Sequence, residues 1–322
     1  MQLTISQPQQ VVTTSTENIT SVISAFANSQ DVKQSSRTLY SRNLTGFFNW
    51  VASTGRVIAN LTIIDLITYK EELLAQGKSS LTTASYINSI RRFYEWAEAH
   101  KYYPNIGKGL HAPKRKQQFR KQPLSVQQVG QLLNHTRESK SARDYAIINL
   151  LLRTGLRTIE VVRANVEDIT YKAGQMVLMV QGKGRDEKDN FVILTPSTYK
   201  PIEEYLNTRK NYTGNSPLFA SESHNNGGGR MTTRAISAIA KEALKEVGLN
   251  NRAFTAHSLR HTTAVNILRA GGTLEQVQYT LRHTNPATTQ IYTATIREEQ
   301  RLNSAGEAML ESLYNTAMVG AM

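Results

Sequence analysis

The segment HSLRHTTAVNIL, residues 257–268, places His257, Arg260 and His261 at i, i+3 and i+4. On a helix those three side chains share one face. Two histidines four apart suit zinc when an acidic residue follows the first as general base. Ser258 stands there instead, and Arg260 would aim a permanent positive charge at any bound cation. A planar guanidinium matches phosphate oxygens far better, two bonds at a time. The patch reads as an anion site.

Other groups that can do chemistry lie around it. Arg157 sits in TGLRTIE with Glu160 one turn on, and Lys183 sits in the Gly-flanked turn QGKG. His283 follows in TLRHTN and Tyr292 in TTQIYT. Taken singly, each has an ordinary explanation: an intrahelical ion pair, a solvated turn, a helix cap, a core aromatic. Composition adds weight to the anion reading. The 322 residues carry 38 Lys plus Arg against 25 Asp plus Glu, a formal charge of +13. A globular chain so basic meets a polyanion, nucleic acid first. Acidic membrane surfaces come second, and no long apolar run or lipidation motif supports them. Cysteine is absent, which fits a reducing compartment and leaves no disulfide or thiolate metal site. The start MQLTISQPQQ has neither a basic n-region nor an apolar h-region. A cytoplasmic protein working on DNA or RNA is expected.

The elements that must position these groups follow from periodicity. Residues 1–30 are polar, with a weak apolar patch near Val22–Phe26, and predict a flexible start. Three helical stripes follow between about 36 and 100. They are Tyr40, Leu44, Phe47, Phe48, Val51; then Ile63, Ile64, Ile67, Leu73, Leu74; then Ile87, Ile90, Tyr94, Ala97. GKGLHAPKRKQQFRKQP (107–123) holds six Lys or Arg and no acid. It is a solvated linker, a strip that lies along a phosphate backbone, or both. A second domain opens at LSVQQV, where Ser125 and Gln128 form a capping box. The apolar helix DYAIINLLLRT stops at Gly155. MVLMVQ (176–181) and NFVILT (190–195) predict two strands around GKGRDEKD. Helices are predicted near 197–207, 232–247, 258–270, 274–281 and 287–292, with an amphipathic one over about 296–316. The fold class is mainly α, in two domains: a small helical one, then an α-rich one with a small antiparallel β-sheet.

The order TGLR-x-x-E, a GKG hairpin, H-x-L-R-H, L-x-H, then I-Y-T nine residues past that histidine strongly resembles the tyrosine recombinase (phage integrase) superfamily. The resemblance spans roughly residues 35–295. It implies a flexible start (1–30), a helical DNA-clamping domain (31–110), a basic linker (111–123), a catalytic domain (124–295) and a docking tail (296–322). It casts Arg157 and Arg260 as the pair gripping the scissile phosphate. Lys183 becomes the general acid for the departing 5′ oxygen, His257 assists proton transfer, His283 hydrogen-bonds the phosphate, and Tyr292 is the nucleophile. Glu160 would support the first arginine.

Elementary chemistry agrees with those roles. A phosphodiester under in-line attack gathers charge that two arginines stabilise. A phenol with pKa near ~10 needs cations nearby to react near neutral pH. A lysine on a mobile hairpin can protonate the leaving alkoxide. A covalent phosphotyrosine stores the bond energy, so the resemblance implies no ATP, no metal and no other cofactor.

The chain departs from the family pattern twice. Arg282 stands before His283 where glycine is usual, which alters the turn into that histidine. GKGRDEKDN is long and acidic, which leaves Lys188 as a competitor to Lys183. Arg230, Arg234, Lys241 and Lys245 fall on or beside one face of the helix at 232–247, and with Lys114, Arg115 and Lys116 of the linker are the expected DNA contacts. Ile296, Leu302, Met309, Leu310 and Leu313 form a stripe that docks on a neighbouring protomer or on its own domain. The partners implied are double-stranded DNA with inverted-repeat sites and a homotetramer on synapsed DNA, from a monomer in solution, with no membrane. The leading function is site-specific recombination, serving a mobile element or dimer resolution. The alternatives are type IB topoisomerase-like relaxation and a DNA-binding regulator with an inactive site.

Overall fold

The computed structural model describes residues 16–114, 122–182, 185–303 and 306–319. The chain divides into two units, residues 1–118 and 119–322.

The first unit packs α1 (Thr16–Ser29), α2 (Gln34–Ser53), α3 (Ile63–Ala75) and α4 (Ser80–Ala99). Aromatic edges hold its core: Phe47 meets Tyr69 at 5.2 Å and Phe48 meets Phe93 at 5.5 Å between ring centroids. Such pairs contribute about 0.5–1.5 kcal/mol each beyond area burial. Two expectations are corrected here. The flexible start does not extend to residue 30, because residues 16–29 are helical. Ile23, Phe26 and Ala27 recur at helical spacing and are buried, Phe26 edge-on to Phe93 at 5.6 Å. On α3 the stripe chosen from sequence points partly outward. Ile64 is 70% exposed, while Leu66, Tyr69 and Leu73 face the core.

In the second unit, Ser125 Oγ accepts from Gln128 N at 3.1 Å and Gln128 Oε1 accepts from Ser125 N at 2.9 Å. That reciprocal cap starts α5 (Val126–Ser139). The apolar α6 (Ala142–Thr154) and α10 (Ala256–Arg269), buried from Ser258 to Val265, pack together in the unit. Around them lie α7 (Thr158–Arg163), α8 (Pro196–Thr208), α9 (Thr233–Glu246), α11 (Leu274–Leu281), α12 (Ala287–Asn303) and α13 (Gly306–Val319). The sheet has three antiparallel strands in the order β1 (Ile169–Lys172), β2 (Gln175–Val180), β3 (Asn190–Ile193). Its register pairs Ile169 with Leu178 and Leu178 with Val192. β1 was not expected. Its two-residue turn is Ala173–Gly174, both at positive φ, the geometry that matches strand twist but usually announces itself with Asn-Gly or Asp-Gly.

The tail also departs from expectation. No break separates Tyr292 from residue 296, since α12 runs unbroken to Asn303. Ile296 packs against Ala264, Val265, Val277, Leu281 and Tyr292. Leu302, Met309, Leu310, Leu313 and Tyr314 are exposed. No described helix is long and apolar enough to cross a membrane.

Candidate active site

The site begins where α6 stops. Gly155 takes a left-handed turn at φ 60°, and a Cβ there would lie 2.5 Å from Leu281 Cδ2. Only glycine fits both the backbone angle and the space. The turn sets Arg157 at the N-cap of α7, and Glu160 closes back on it. Glu160 Oε2 accepts from the Arg157 backbone N–H at 2.7 Å, and Oε1 accepts from Arg157 Nη1 at 2.9 Å. Glu160 is 1% exposed and the Arg157 side chain 30%, so the guanidinium is held from behind with one side open.

Arg260 enters from α10 and is 2% exposed. It donates from Nη1 to the Gly155 carbonyl and from Nη2 to Leu281 O, the latter at 2.6 Å. Burial, together with the like charges of Arg157 and Arg282, weakens its hold on its proton, while Glu160 and Tyr292 strengthen it. Burial alone would raise the Glu160 carboxyl. The charge of Arg282, the Arg157 N–H and the charges of Arg157 and Arg260 more than offset this and hold it below the usual range.

Tyr292, on α12, is buried to 4% exposure. Burial raises its phenol above the ordinary tyrosine value, and Arg260 and Arg157 pull it back. The His283 ring lies parallel to Tyr292, centroids 6.3 Å apart at 7°, and His261 packs on it at 5.0 Å. His283 Nδ1 lies 2.9 Å from Thr289 Oγ1. Burial first, then the charges of Arg260, Arg157 and Arg282, lower His283 to about 4. Burial first, then His257 and Arg269, lower His261 to about 4. Both rings are neutral near pH 7. His257 lies exposed in the first turn of α10.

Lys183, Arg115 and Lys116 lie outside the described residues. The competitor Lys188 is held by the buried Asp168, with Nζ at 2.8 and 2.6 Å from its two oxygens. Tyr279, on α11, is 69% exposed and bonds Glu275 at 2.8 Å. Among the expected DNA contacts, Lys114 and Arg234 are exposed. Arg230 and Lys241 spend their donors inside the unit. Arg230 bonds Val162 O at 2.6 Å and Asn165 Oδ1 at 2.6 Å. Lys241 bonds Asn251 O at 2.8 Å and Phe254 O at 3.2 Å, fixing the loop that leads to His257. The first unit also carries a polar groove of about 740 Å³ lined in part by Asn88, Arg91, Arg92 and Lys108. Sequence reading passed over it because Arg91 and Arg92 sit together on an otherwise ordinary helix. It likewise passed over Thr289, although three-residue spacing from Tyr292 puts both on one face of α12.

A shielded phenol under the charge of two arginines, with a neutral histidine stacked beside it, suits covalent phosphoryl transfer. Residues 122–299 match the phage integrase family, and residues 12–101 match the phage integrase N-terminal SAM-like domain. A tyrosine recombinase XerC of Corynebacterium glutamicum is 32% identical over 248 residues, covering 76% of this chain and 77% of its own length. A tyrosine recombinase XerD of Oceanobacillus iheyensis is 30% identical over 264 residues, covering 79% and 85%. Among solved structures, XerH recombinase bound to palindromic difH substrate superposes with TM-score 0.75 at 18% identity, over 94% of this chain and 99% of that one. The chain belongs to the phage integrase family of tyrosine recombinases, and its activity is site-specific DNA recombination.

Proposed function

We propose that the protein cuts and rejoins double-stranded DNA at inverted-repeat sites through a 3′-phosphotyrosine. Tyr292 Oη attacks the scissile phosphorus as the bond to the 5′ oxygen breaks. The phenolic proton leaves with help from His257, and Lys183 supplies the proton that the departing 5′ oxygen takes up. Arg157 and Arg260 hold the non-bridging oxygens as charge gathers on them. The neutral His283 donates a further hydrogen bond to the phosphate. The reverse attack by a 5′ hydroxyl from the partner strand restores the backbone, so the number of phosphodiester bonds is conserved. The observation that carries this reading is the burial of Tyr292 beside His261 and His283, where the charges of Arg260 and Arg157 oppose the cost that burial puts on ionising its phenol.

Around that centre, residues 31–110, linker 111–123 and residues 124–295 each bind the duplex, with Lys114, Arg115, Lys116, Arg234 and the groove at Arg91, Arg92 and Lys108 on the phosphates. Arg230 and Lys241 support the loops nearby. The protein is a cytoplasmic monomer that assembles as a homotetramer on two synapsed sites. The exposed Leu302, Met309, Leu310 and Leu313 support docking of the tail on a neighbouring protomer. The errand is movement of a mobile element or resolution of a dimer.

The test uses a nicked duplex whose half-site is selected from a random pool by binding to the wild-type protein. Wild type should become covalently trapped on it, and Tyr292→Phe should bind with the same affinity and form no adduct. An adduct in that variant would move the nucleophile elsewhere and end this reading.

A further inference from the structure

Arg282 caps α11 in the left-handed region, at φ 56° and ψ 47°, where a side chain other than glycine or asparagine is disfavoured. The strain is retained beside a second cost, since its guanidinium is only 4% exposed. Its bonds show where the compensation goes. Nη2 donates to Glu160 Oε2 at 3.0 Å and Nη1 to Thr280 O at 2.6 Å. Glu160 therefore holds two arginines 125 positions apart in sequence, Arg157 at the start of α7 and Arg282 at the end of α11. The neighbouring Leu281 carbonyl is gripped from the other side by Arg260. The next residue is His283, whose N–H reaches Gln278 O at 3.1 Å. The corner that carries His283 is thus tied to the two arginine-bearing elements by side chains on either side of it.

We propose that Arg282 is a positioning residue of the strand-transfer site: through Glu160 it locks the His283 corner to Arg157, so that the phosphate ligands keep one spacing. The proposal rests on the reading that Arg157 and His283 bind the phosphate. Arg282 acts through Glu160 and the Thr280 carbonyl, to which its Nη2 and Nη1 donate. The lock depends on charge. Glu160 must be ionised to hold both arginines, and the groups that face it are Arg157 from α7, Arg260 from α10 and Arg282 from α11. The charge of Arg282 is the largest single influence keeping it ionised, followed by the Arg157 N–H. Losing Arg282 lets the Glu160 carboxyl titrate higher, and the grip on Arg157 is then lost as pH falls through that higher value.

The experiment measures single-turnover cleavage of the selected nicked duplex across pH for wild type, Arg282→Gly, Arg282→Lys and Glu160→Gln. Arg282→Gly removes the backbone strain, so its melting temperature should stay near that of wild type. Its cleavage rate at saturating DNA should fall on the order of ten- to a hundredfold, the scale of a displaced reacting group, with half-saturating DNA within about twofold. The acid limb of its rate profile should move to higher pH. Arg282→Lys should recover part of the rate, and in a Glu160→Gln background Arg282→Gly should produce no limb shift. Full rate and an unmoved limb in Arg282→Gly would overturn the proposal. So would effects of Arg282→Gly and Glu160→Gln that simply multiply. Trapping of Tyr292→Phe on the same duplex would instead point to failure of the underlying phosphotyrosine reading.

Discussion

Replacing Arg260 by alanine removes two things that the structure keeps together. One, on the proposed mechanism, is a donor to the transition-state oxygens. Losing such a group costs about 2–4 kcal/mol of transition-state stabilisation, roughly 30- to 900-fold in rate. The other is a clasp. The guanidinium is buried and feeds the Gly155 and Leu281 carbonyls, and each carbonyl left unpaired costs about 1–3 kcal/mol. Relief of a buried charge offsets part of this. A net loss of about 2 kcal/mol lowers the melting temperature of a domain this size by about 4–8 °C. Arg157→Ala should lose a comparable amount of rate with a smaller thermal penalty. Its side chain is part-exposed, and Glu160 keeps Arg282 as a partner. Single-turnover cleavage and calorimetry on both variants give the comparison. An Arg260→Ala protein that melts within about 1 °C of wild type, or cleaves within about threefold of it, would refute this account of the residue.

Further outcomes are expected. Lys183→Ala should slow cleavage of ordinary DNA strongly yet spare a substrate whose 5′ bridging oxygen is sulfur, a leaving group that needs no proton; equal losses on both substrates would remove Lys183 from the general-acid role. His261 and His283 are lowered to about 4, so the unfolded chain binds more protons than the folded one between about pH 4 and 6.5. Their contribution is full above about pH 6.5 and is lost as pH falls towards 4. Melting temperature should decline across that window, less steeply when both are changed to glutamine, and an unchanged slope in the double variant counts against the sign. Truncation after Asn303 retains α12 and the bond from Arg269 Nε to Glu299 at 3.0 Å. Half-site binding should persist while cooperative filling of full sites is lost; retained cooperativity and recombination would show that the tail is dispensable for assembly.

Most of the fold was legible because its signals are local. Phe47, Phe48 and Val51 announce a helix by spacing, and Ser125 with Gln128 announces its start. The misreadings in the first unit share one cause, which is that burial is decided by a partner the local pattern does not show. Phe26 makes a helix of a polar stretch because Phe93, 67 residues later, offers it an edge. Ile64 is as apolar as Leu66, yet nothing covers its side of α3 among the described residues. The chemical residues were legible as types in an order. What they touch was not: Arg230 and Lys241 look like free cations until their carbonyl partners are in place. Arg282 looks like an intrusion until Glu160 is found against it.

The unbroken run of α12 makes Tyr292, the proposed nucleophile, part of a lever. From Tyr292 to Asn303 the helix spans eleven residues, roughly 16 Å of stiff rod at 1.5 Å per residue. A neighbour that pulls the far end sideways by about 3 Å tilts the rod by about 10° when Tyr292 is the fulcrum. The phenolic oxygen, roughly 5 Å from the helix axis, then swings by about 1 Å. Misplacement on that scale is enough to change a reaction rate a hundredfold. If a neighbour grips the tail as proposed, it would have to overcome the Arg269–Glu299 pair and the packing of Ile296 that hold this stretch of α12. It would then act as a mechanical throttle on the chemistry without rearranging the arginines.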